Sequence, residues 1–304
     1  MFIISRLRHG VTAACVPESR AAPPPDSTRG NVDGWSNKAC SRNAAFLRSV
    51  DERELTGLGM ALTLTVLRCP ETHDEWHKLR LALIEFLRRR GLIRLHWVVE
   101  WQRRRVPHLH LAVYMDQDST DGTAVSRLAH DITAHWLRIA APFGADHRGQ
   151  TVKPLYDAVG WFQYSAKHAS RGVAHYQRSP DCQPAHWEKT GRVWGKCGDW
   201  PTADPERLEV SFPAYCAFRR IAKRWRIADA RSEGNPRRIK SARRSLRCTD
   251  PGKSDTRGVS EWISGPLQSQ IVDHLAAQGY RIRPAERPTV RMLAPRQSRP
   301  DPAA

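Results

Sequence analysis

Apolar residues recur along this chain at two spacings, and their succession outlines a domain. Ala61-Leu62-Thr63-Leu64-Thr65-Val66 alternates apolar side chains with threonine, the period of a half-buried strand. From Thr72 to Arg90, Trp76, Leu79, Leu83 and Leu87 return at helical spacing, and Gly91 supplies a stop. Trp97 to Tyr114 holds two segments rich in β-branched, aromatic and leucine residues around a basic connection, Arg103 to Pro107, and predicts a β-hairpin. Val125, Leu128, Ile132, Trp136 and Ile139 mark a second amphipathic helix ended by Pro142 and Gly144, and a short strand follows near Gln150 to Lys153. Asp157 to His168 reads as a helix with the apolar stripe Leu155, Val159, Phe162 and Ala166. Pro213 to Asp229 reads as another, with Tyr215, Phe218, Ala222 and Trp225 on one side and Arg219, Arg220, Lys223, Arg224 and Arg226 crowding the rest. This order predicts an α+β fold, a central antiparallel β-sheet flanked by helices, over residues 56–230.

The flanks read differently. Residues 1–55 carry Pro23-Pro24-Pro25, Gly30, Gly34 and many Ser, Asn and Arg residues, a composition that predicts a flexible N-terminal segment. Residues 231–304 predict a basic, largely disordered tail, because Arg237, Arg238, Lys240, Arg243, Arg244 and Arg247 run without an acid among them; only Leu267 to Ala277 reads as a short helix. The net charge of +18 and the pI of about 10.3 point to a polyanionic partner, nucleic acid before membrane. No apolar run is long enough to cross a bilayer, and Arg6, Arg8 and His9 interrupt Met1 to Val16 too often for a signal peptide. Seven cysteines without a Cys-x-x-Cys pair argue against a disulfide framework and a zinc ribbon, and a cytoplasmic location is expected.

The chemistry concentrates in the hairpin. Strand side chains alternate faces, so Glu100 and Gln102 share one face with His108 and His110 on the returning strand. Symmetric closure would set Gln102 across from His108 and Glu100 across from His110, and a bulge in the connection would slide that register. Two imidazoles, a carboxylate and an amide on one sheet face cost stability unless paired, and a divalent metal would pair them. The plainer reading is a solvated polar face; a third is a zinc hydrolase built on the two histidines. Downstream, Tyr164, Lys167 and His168 are three- and four-residue neighbours on their helix, away from its apolar stripe. A phenol with a pKa near ~10 is a weak nucleophile at neutral pH and needs a nearby cation to carry its developing charge.

These residues, in this order, resemble a family. Thr63-Leu64-Thr65, then Glu100-x-Gln102 with Pro107-His108-Leu109-His110-Leu111, then Tyr164-x-x-Lys167 are similar to the motifs of the HUH endonucleases, and within them to the one-tyrosine rolling-circle replication initiators of plasmids and single-stranded DNA phages. The resemblance covers about residues 58 to 200. It implies an RRM-like sheet, a Mg²⁺ or Mn²⁺ ion on His108, His110 and Glu100 or Gln102, and attack by Tyr164 on a DNA phosphate with help from Lys167. His168 stands where the family often has an aromatic residue, and Arg171 where a second lysine is common. Tyr156 and Tyr176 remain as alternative nucleophiles, and the Tyr-x-x-x-Tyr pair of two-tyrosine relatives is absent. Gly191-Arg192-Val193-Trp194-Gly195 resembles a run that follows the tyrosine helix in such initiators and reads as a turn with Trp194 packed.

DNA contacts are expected from Arg103, Arg104, Arg105, His168, Arg171, Arg219, Arg220, Lys223 and Arg224, the phosphate backbone being read as charge. The expected partner is single-stranded origin DNA. No Gly-x-x-x-x-Gly-Lys-Ser/Thr is present, so a host helicase, with a host polymerase, is expected to assist. A relaxase or transposase would share the chemistry; a non-catalytic DNA- or RNA-binding regulator would not need it.

Overall fold

The computed structural model describes residues 1–16, 33–118, 121–171, 176–246 and 259–285, and of residues 167–171, 241, 244–246 and 259–260 the backbone alone. In chain order the elements are β1 (Phe2–Leu7), β2 (Gly10–Cys15), α1 (Asn37–Ser49), β3 (Leu58–Thr65), α2 (His73–Arg89), β4 (Leu92–Trp101), β5 (Pro107–Met115) and α3 (Gly122–Ile139). They continue with β6 (Thr151–Pro154), α4 (Ala158–Arg171), β7 (Trp194–Gly198), β8 (Glu206–Val210), α5 (Phe212–Ser232), α6 (Pro236–Leu246), β9 (Val259–Trp262), α7 (Gly265–Ala277) and β10 (Ile282–Pro284).

Side-chain alternation builds the first sheet, whose strand order is β6-β3-β5-β4-β7, all antiparallel. Leu58, Met60, Leu62 and Leu64 of β3, Leu95, Trp97, Val99 and Trp101 of β4, and Leu109, Leu111 and Val113 of β5 join one buried cluster with Trp76, Leu83 and Leu87 of α2 and Leu128, Ile132 and Trp136 of α3. Full burial of such a side chain contributes about 1.5–3 kcal/mol, so this cluster dominates the stability of the sheet. The alternate residues face α1 and α4: Ala112 and Tyr114 pack with Ala44, Leu47, Phe162 and Ala166. The α+β architecture is therefore an antiparallel sheet with helices on both faces, and the histidines lie on the α4 side.

Local signals explain the element ends. Thr72 caps α2 in a reciprocal box with Glu75, and Gly91 beyond its end adopts φ 86°, a left-handed conformation that costs glycine little. Gly195 has a different reason. A Cβ there would lie 2.8 Å from the Trp97 ring, whose indole also stacks on Arg80 at 3.8 Å. Trp194 and Gly195 thus begin strand β7, paired with Val98 and Trp97, where the sequence predicts a turn.

The flanks depart from expectation most. β1 and β2 pair with each other, β1 also with β8 and β2 with β9, and β10 pairs with β8, in a second antiparallel sheet ordered β10-β8-β1-β2-β9. Ile4, Val11, Leu208 and Val210 pack there under Tyr215 and Phe218 of α5 and Ile271 and Leu275 of α7. Residues 1–16 and 33–55 are thus built into the fold where flexibility is predicted, as are 231–246 and 259–285 where a largely disordered tail is predicted, α7 alone matching the short helix expected at Leu267 to Ala277. Their core is assembled from both ends of the chain, so neither end alone carries a readable apolar run. Residues 17–32, 247–258 and 286–304 of those flanks lie outside the described residues. Helix α1 ties the sheets together: buried Arg48 stacks over Trp262 at 5.2 Å, and its carbonyl accepts from His9 N–H at 2.9 Å.

Under α1, His96 of β4 is fully buried, and Asn43 Oδ1 lies 2.7 Å from its Nε2. Burial, aided by the Arg178 and Lys196 cations, holds its pKa down to about 3. The unfolded chain takes up this proton near pH 6.5, whereas the folded chain refuses it until about pH 3. Stability from this group is therefore complete above pH 6.5 and lost as pH falls. Urea unfolding of a His96→Gln variant at pH 7 and pH 5 is expected to lose less stability between the two pH values than the parent does, by about 2 kcal/mol.

Candidate nucleic-acid processing site

The hairpin closes two residues away from the symmetric register. Glu100 pairs with His108, Val98 with His110 and Trp101 with Pro107. Arg105 takes a left-handed φ of 60°, its N–H donates to Gln102 O at 2.8 Å, and Gln102 N–H donates to Val106 O at 3.0 Å. The turn is therefore Arg103–Arg105, buried Val106 follows it, and pairing resumes at buried Pro107. A shift of two leaves every side chain on its face, so the four polar residues still converge.

Thr63 and Thr65 of β3 complete the patch, opposite His110 and His108. Thr63 Oγ1 lies 3.0 Å from His110 Nδ1. The Gln102 amide nitrogen lies 3.0 Å from Thr65 Oγ1 and 3.2 Å from His108 Nδ1, while its oxygen accepts from Arg104 Nε at 2.7 Å. The two imidazoles stand edge to face at 4.3 Å. His110 is buried, and its Nε2 has no hydrogen-bond partner among the described residues, the nearest Glu100 oxygen, Oε2, lying 3.6 Å away. Burial, the His110 ring and Arg104 push the His108 pKa down to about 3, against the pull of Glu100, so this ring is neutral at pH 7.

From the other layer, α4 brings Tyr164. Its ring stands at 82° to His110 with centroids 5.6 Å apart, and it stacks on Trp161 at 5.4 Å. Phe162 and Ala166 anchor the opposite side of α4 in the core, which leaves Tyr164 43% exposed above the histidines. Partial burial raises its pKa, and Glu100 and Tyr176 raise it further. Tyr156, at 94% exposure, precedes α4, and Tyr176 lies under the Arg103 guanidinium at 5.1 Å. The backbone of Lys167, His168 and Arg171 continues α4; their side chains lie outside the described residues.

The basic residues divide. Arg103, Arg104 and Arg105 are exposed, but Arg104 also donates to Val66 O at 2.6 Å and Leu67 O at 3.1 Å, stitching the hairpin tip to β3. Arg220 and Arg224 are exposed on α5, and Lys223 is half-buried there. Arg219 differs from expectation: it is buried beside the Tyr215 ring, because its helical position falls on the stripe that covers the second sheet. Arg178, in no motif, donates to Glu100 Oε1 from beneath the patch. No sequence signal marks it, since only the tertiary fold brings it under β4.

Among the described residues, no group of three or more His, Cys, Asp or Glu side chains is placed to hold a metal ion, and no helix is long and apolar enough to cross a membrane. By donor chemistry alone, the patch offers a divalent ion a neutral imidazole, a buried imidazole nitrogen without a partner among the described residues, and a carboxylate oxygen.

No protein-family model and no solved structure matches the chain. Three curated proteins do, along nearly all of it. A replication-associated protein of Pseudomonas phage Pf3 is 46% identical over 283 residues, 93% of this chain and 100% of the relative. Putative replication protein XF_b0001 of Xylella fastidiosa strain 9a5c is 44% identical over 291 residues, 93% of this chain and 99% of the relative. Putative replication protein PDa0002 of Xylella fastidiosa strain Temecula1 is 45% identical over 273 residues, 87% of this chain and 100% of the relative. The chain belongs to the family of replication-associated proteins that includes this phage Pf3 protein.

Proposed function

We propose that this protein is a rolling-circle replication initiator of HUH type, which nicks and rejoins single-stranded origin DNA through Tyr164. One observation carries the reading: Tyr164 of α4 stands 5.6 Å, ring to ring, from His110, so two motifs separated by more than fifty residues meet at one patch. Tyr164 Oη attacks the scissile phosphorus, and the bond to the 3′ oxygen breaks. The phenolic proton is lost, the leaving oxygen gains one, and a 5′-phosphotyrosyl link and a free 3′-hydroxyl result. Rejoining runs the same exchange backwards. Raised as it is, the Tyr164 pKa keeps the phenol protonated at neutral pH, so the reaction needs positive charge at the phosphate.

His108, His110 and Glu100 would hold a Mg²⁺ or Mn²⁺ ion, which when bound polarises a non-bridging phosphate oxygen. Gln102 serves in this reading as the support of His108 more than as a ligand, because its oxygen is taken by Arg104. Lys167, one turn beyond Tyr164, steadies the phenolate or the phosphate. A host helicase and polymerase supply unwinding and synthesis.

The test is incubation with labelled single-stranded DNA from the replicon's own origin, with manganese or with chelator, resolved on a denaturing gel. A covalent protein–DNA band that depends on the metal is expected. Binding without any covalent band would make the protein a regulator.

The α5–α6 hairpin supplies the non-specific part of affinity in this reading. Arg220, Arg224, Arg237, Lys240 and Arg243 are exposed on it, whereas Arg238 is held by Asp229 and Glu233 and Arg226 by Glu261. Replacing Arg220 and Arg224 by glutamine is expected to weaken DNA binding at all sequences alike. The slope of log affinity against log salt should fall by about 1 for each phosphate no longer engaged, measured by fluorescence anisotropy between low and moderate salt.

A further inference from the structure

A buried cation lies beneath the patch, and the proposed chemistry makes no use of it. Arg178 is fully buried. Its Nε and Nη2 donate to Glu100 Oε1 at 3.3 and 3.1 Å, and Nη2 also donates to the Ser165 carbonyl at 3.1 Å. Nη1 donates to Cys40 Sγ at 3.5 Å, and the guanidinium lies over the Trp35 ring at 3.9 Å. Trp35 is itself pinned, its Nε1–H donating to Val99 O at 2.8 Å.

Removing a guanidinium from water costs several kcal/mol, and a well-packed apolar residue would fill the same space at less cost. What the arginine provides is a fork. Nε and Nη2 hold the carboxylate of β4, and Nη2 also holds the backbone of α4 at the residue directly after Tyr164, while Nη1 is anchored on Cys40. The same interaction occupies Oε1 of Glu100, and the Oε2 atom lies toward the histidines, 3.6 Å from His110 Nε2.

We propose that Arg178 is a positioning residue that couples the tyrosine helix to the histidine–glutamate patch, so that phenol and carboxylate keep one relative placement. The inference rests on the nicking reading for its effect on rate, but the coupling itself can be measured without any reaction. An Arg178→Lys variant keeps the charge, yet its shorter side chain ends near the position of the guanidinium carbon, short of the Nη2 site that holds both partners, and lacks the second donor to Glu100. Adduct formation is expected to slow about 10- to 100-fold, and half-saturating manganese to rise to a similar degree, the range seen when groups supporting a metal ligand or aligning a reacting group are lost. Affinity for single-stranded DNA should stay within about twofold. Amide hydrogen exchange should quicken in α4 and around Glu100 and stay unchanged in α2, α3 and the second sheet. Trp35→Phe keeps an aromatic ring under the guanidinium but loses the buried bond to Val99 O, and is the control for general destabilisation: its melting temperature should fall while rate and manganese response stay near the parent's.

Unchanged rate, manganese response and α4 exchange in Arg178→Lys would overturn the inference. Exchange that quickens evenly through the fold, with rate falling in step with melting temperature, would also overturn it, by making Arg178 a strut for the whole domain. If Arg178→Lys does not fold, Glu100→Gln replaces it: this shape-conserving change weakens the same pair, and faster exchange confined to α4 supports the coupling whereas unaltered exchange refutes it. Absence of any adduct from the parent protein would sink the nicking reading alone, and the exchange pattern would then decide the coupling.

Discussion

Replacing Tyr164 by phenylalanine is expected to abolish the covalent protein–DNA product while leaving the fold and DNA affinity unaltered. The ring contributes packing against Trp161 and His110, which phenylalanine reproduces. Only the hydroxyl is removed, and without it no oxygen remains to bond the phosphorus. Loss of a nucleophile that no neighbour replaces costs at least about 10³-fold in rate. The measurement is a denaturing gel of labelled origin DNA with manganese, with anisotropy for binding and thermal melting for stability. A band that survives in Tyr164→Phe and disappears in Tyr156→Phe or Tyr176→Phe would move the nucleophile to that residue. Tyr156 precedes α4 and is almost wholly exposed, and Tyr176 lies under Arg103, so neither is expected to serve.

Glu100→Ala is expected to be the most destabilising change at the patch, by about 3–5 kcal/mol, because it strands the buried Arg178 charge without its carboxylate. For a domain whose whole stability is about 5–15 kcal/mol, such a loss is visible at once in urea unfolding. Glu100→Gln should cost less, since an amide oxygen still accepts from the guanidinium. Both variants should lose the proposed nicking, so stability separates the structural part of Glu100 from the part proposed for it in catalysis. A Glu100→Ala protein that unfolds like the parent would show that other groups satisfy Arg178.

Much of this arrangement is legible one element at a time. The 3.6-residue recurrence of Trp76, Leu79, Leu83 and Leu87 predicts α2, and all four are buried there as read. Alternation predicts that His108 and His110 share a face opposite Leu109 and Leu111, and the sheet places them so. The register of the hairpin is less legible. Whether Arg105 turns left-handed depends on the balance of loop and sheet interactions, and nothing in Arg103–Pro107 announces it. A difference of two residues leaves the site intact only because the side-chain period is two.

By itself, the sequence determined the faces: which residues point to a core, which polar groups share a surface, and the order of motifs Thr63, Glu100, His108, His110 and Tyr164. These depend on backbone periodicity, which a few neighbouring residues set. Only the tertiary structure decided that Phe2 pairs with Val210 and Thr12 with Ser260, that Arg219 is buried, and that Arg178 lies under Glu100. Those pairings join residues far apart in the chain, and their loop-closure cost is offset only when the whole core packs. No short window of sequence contains both partners.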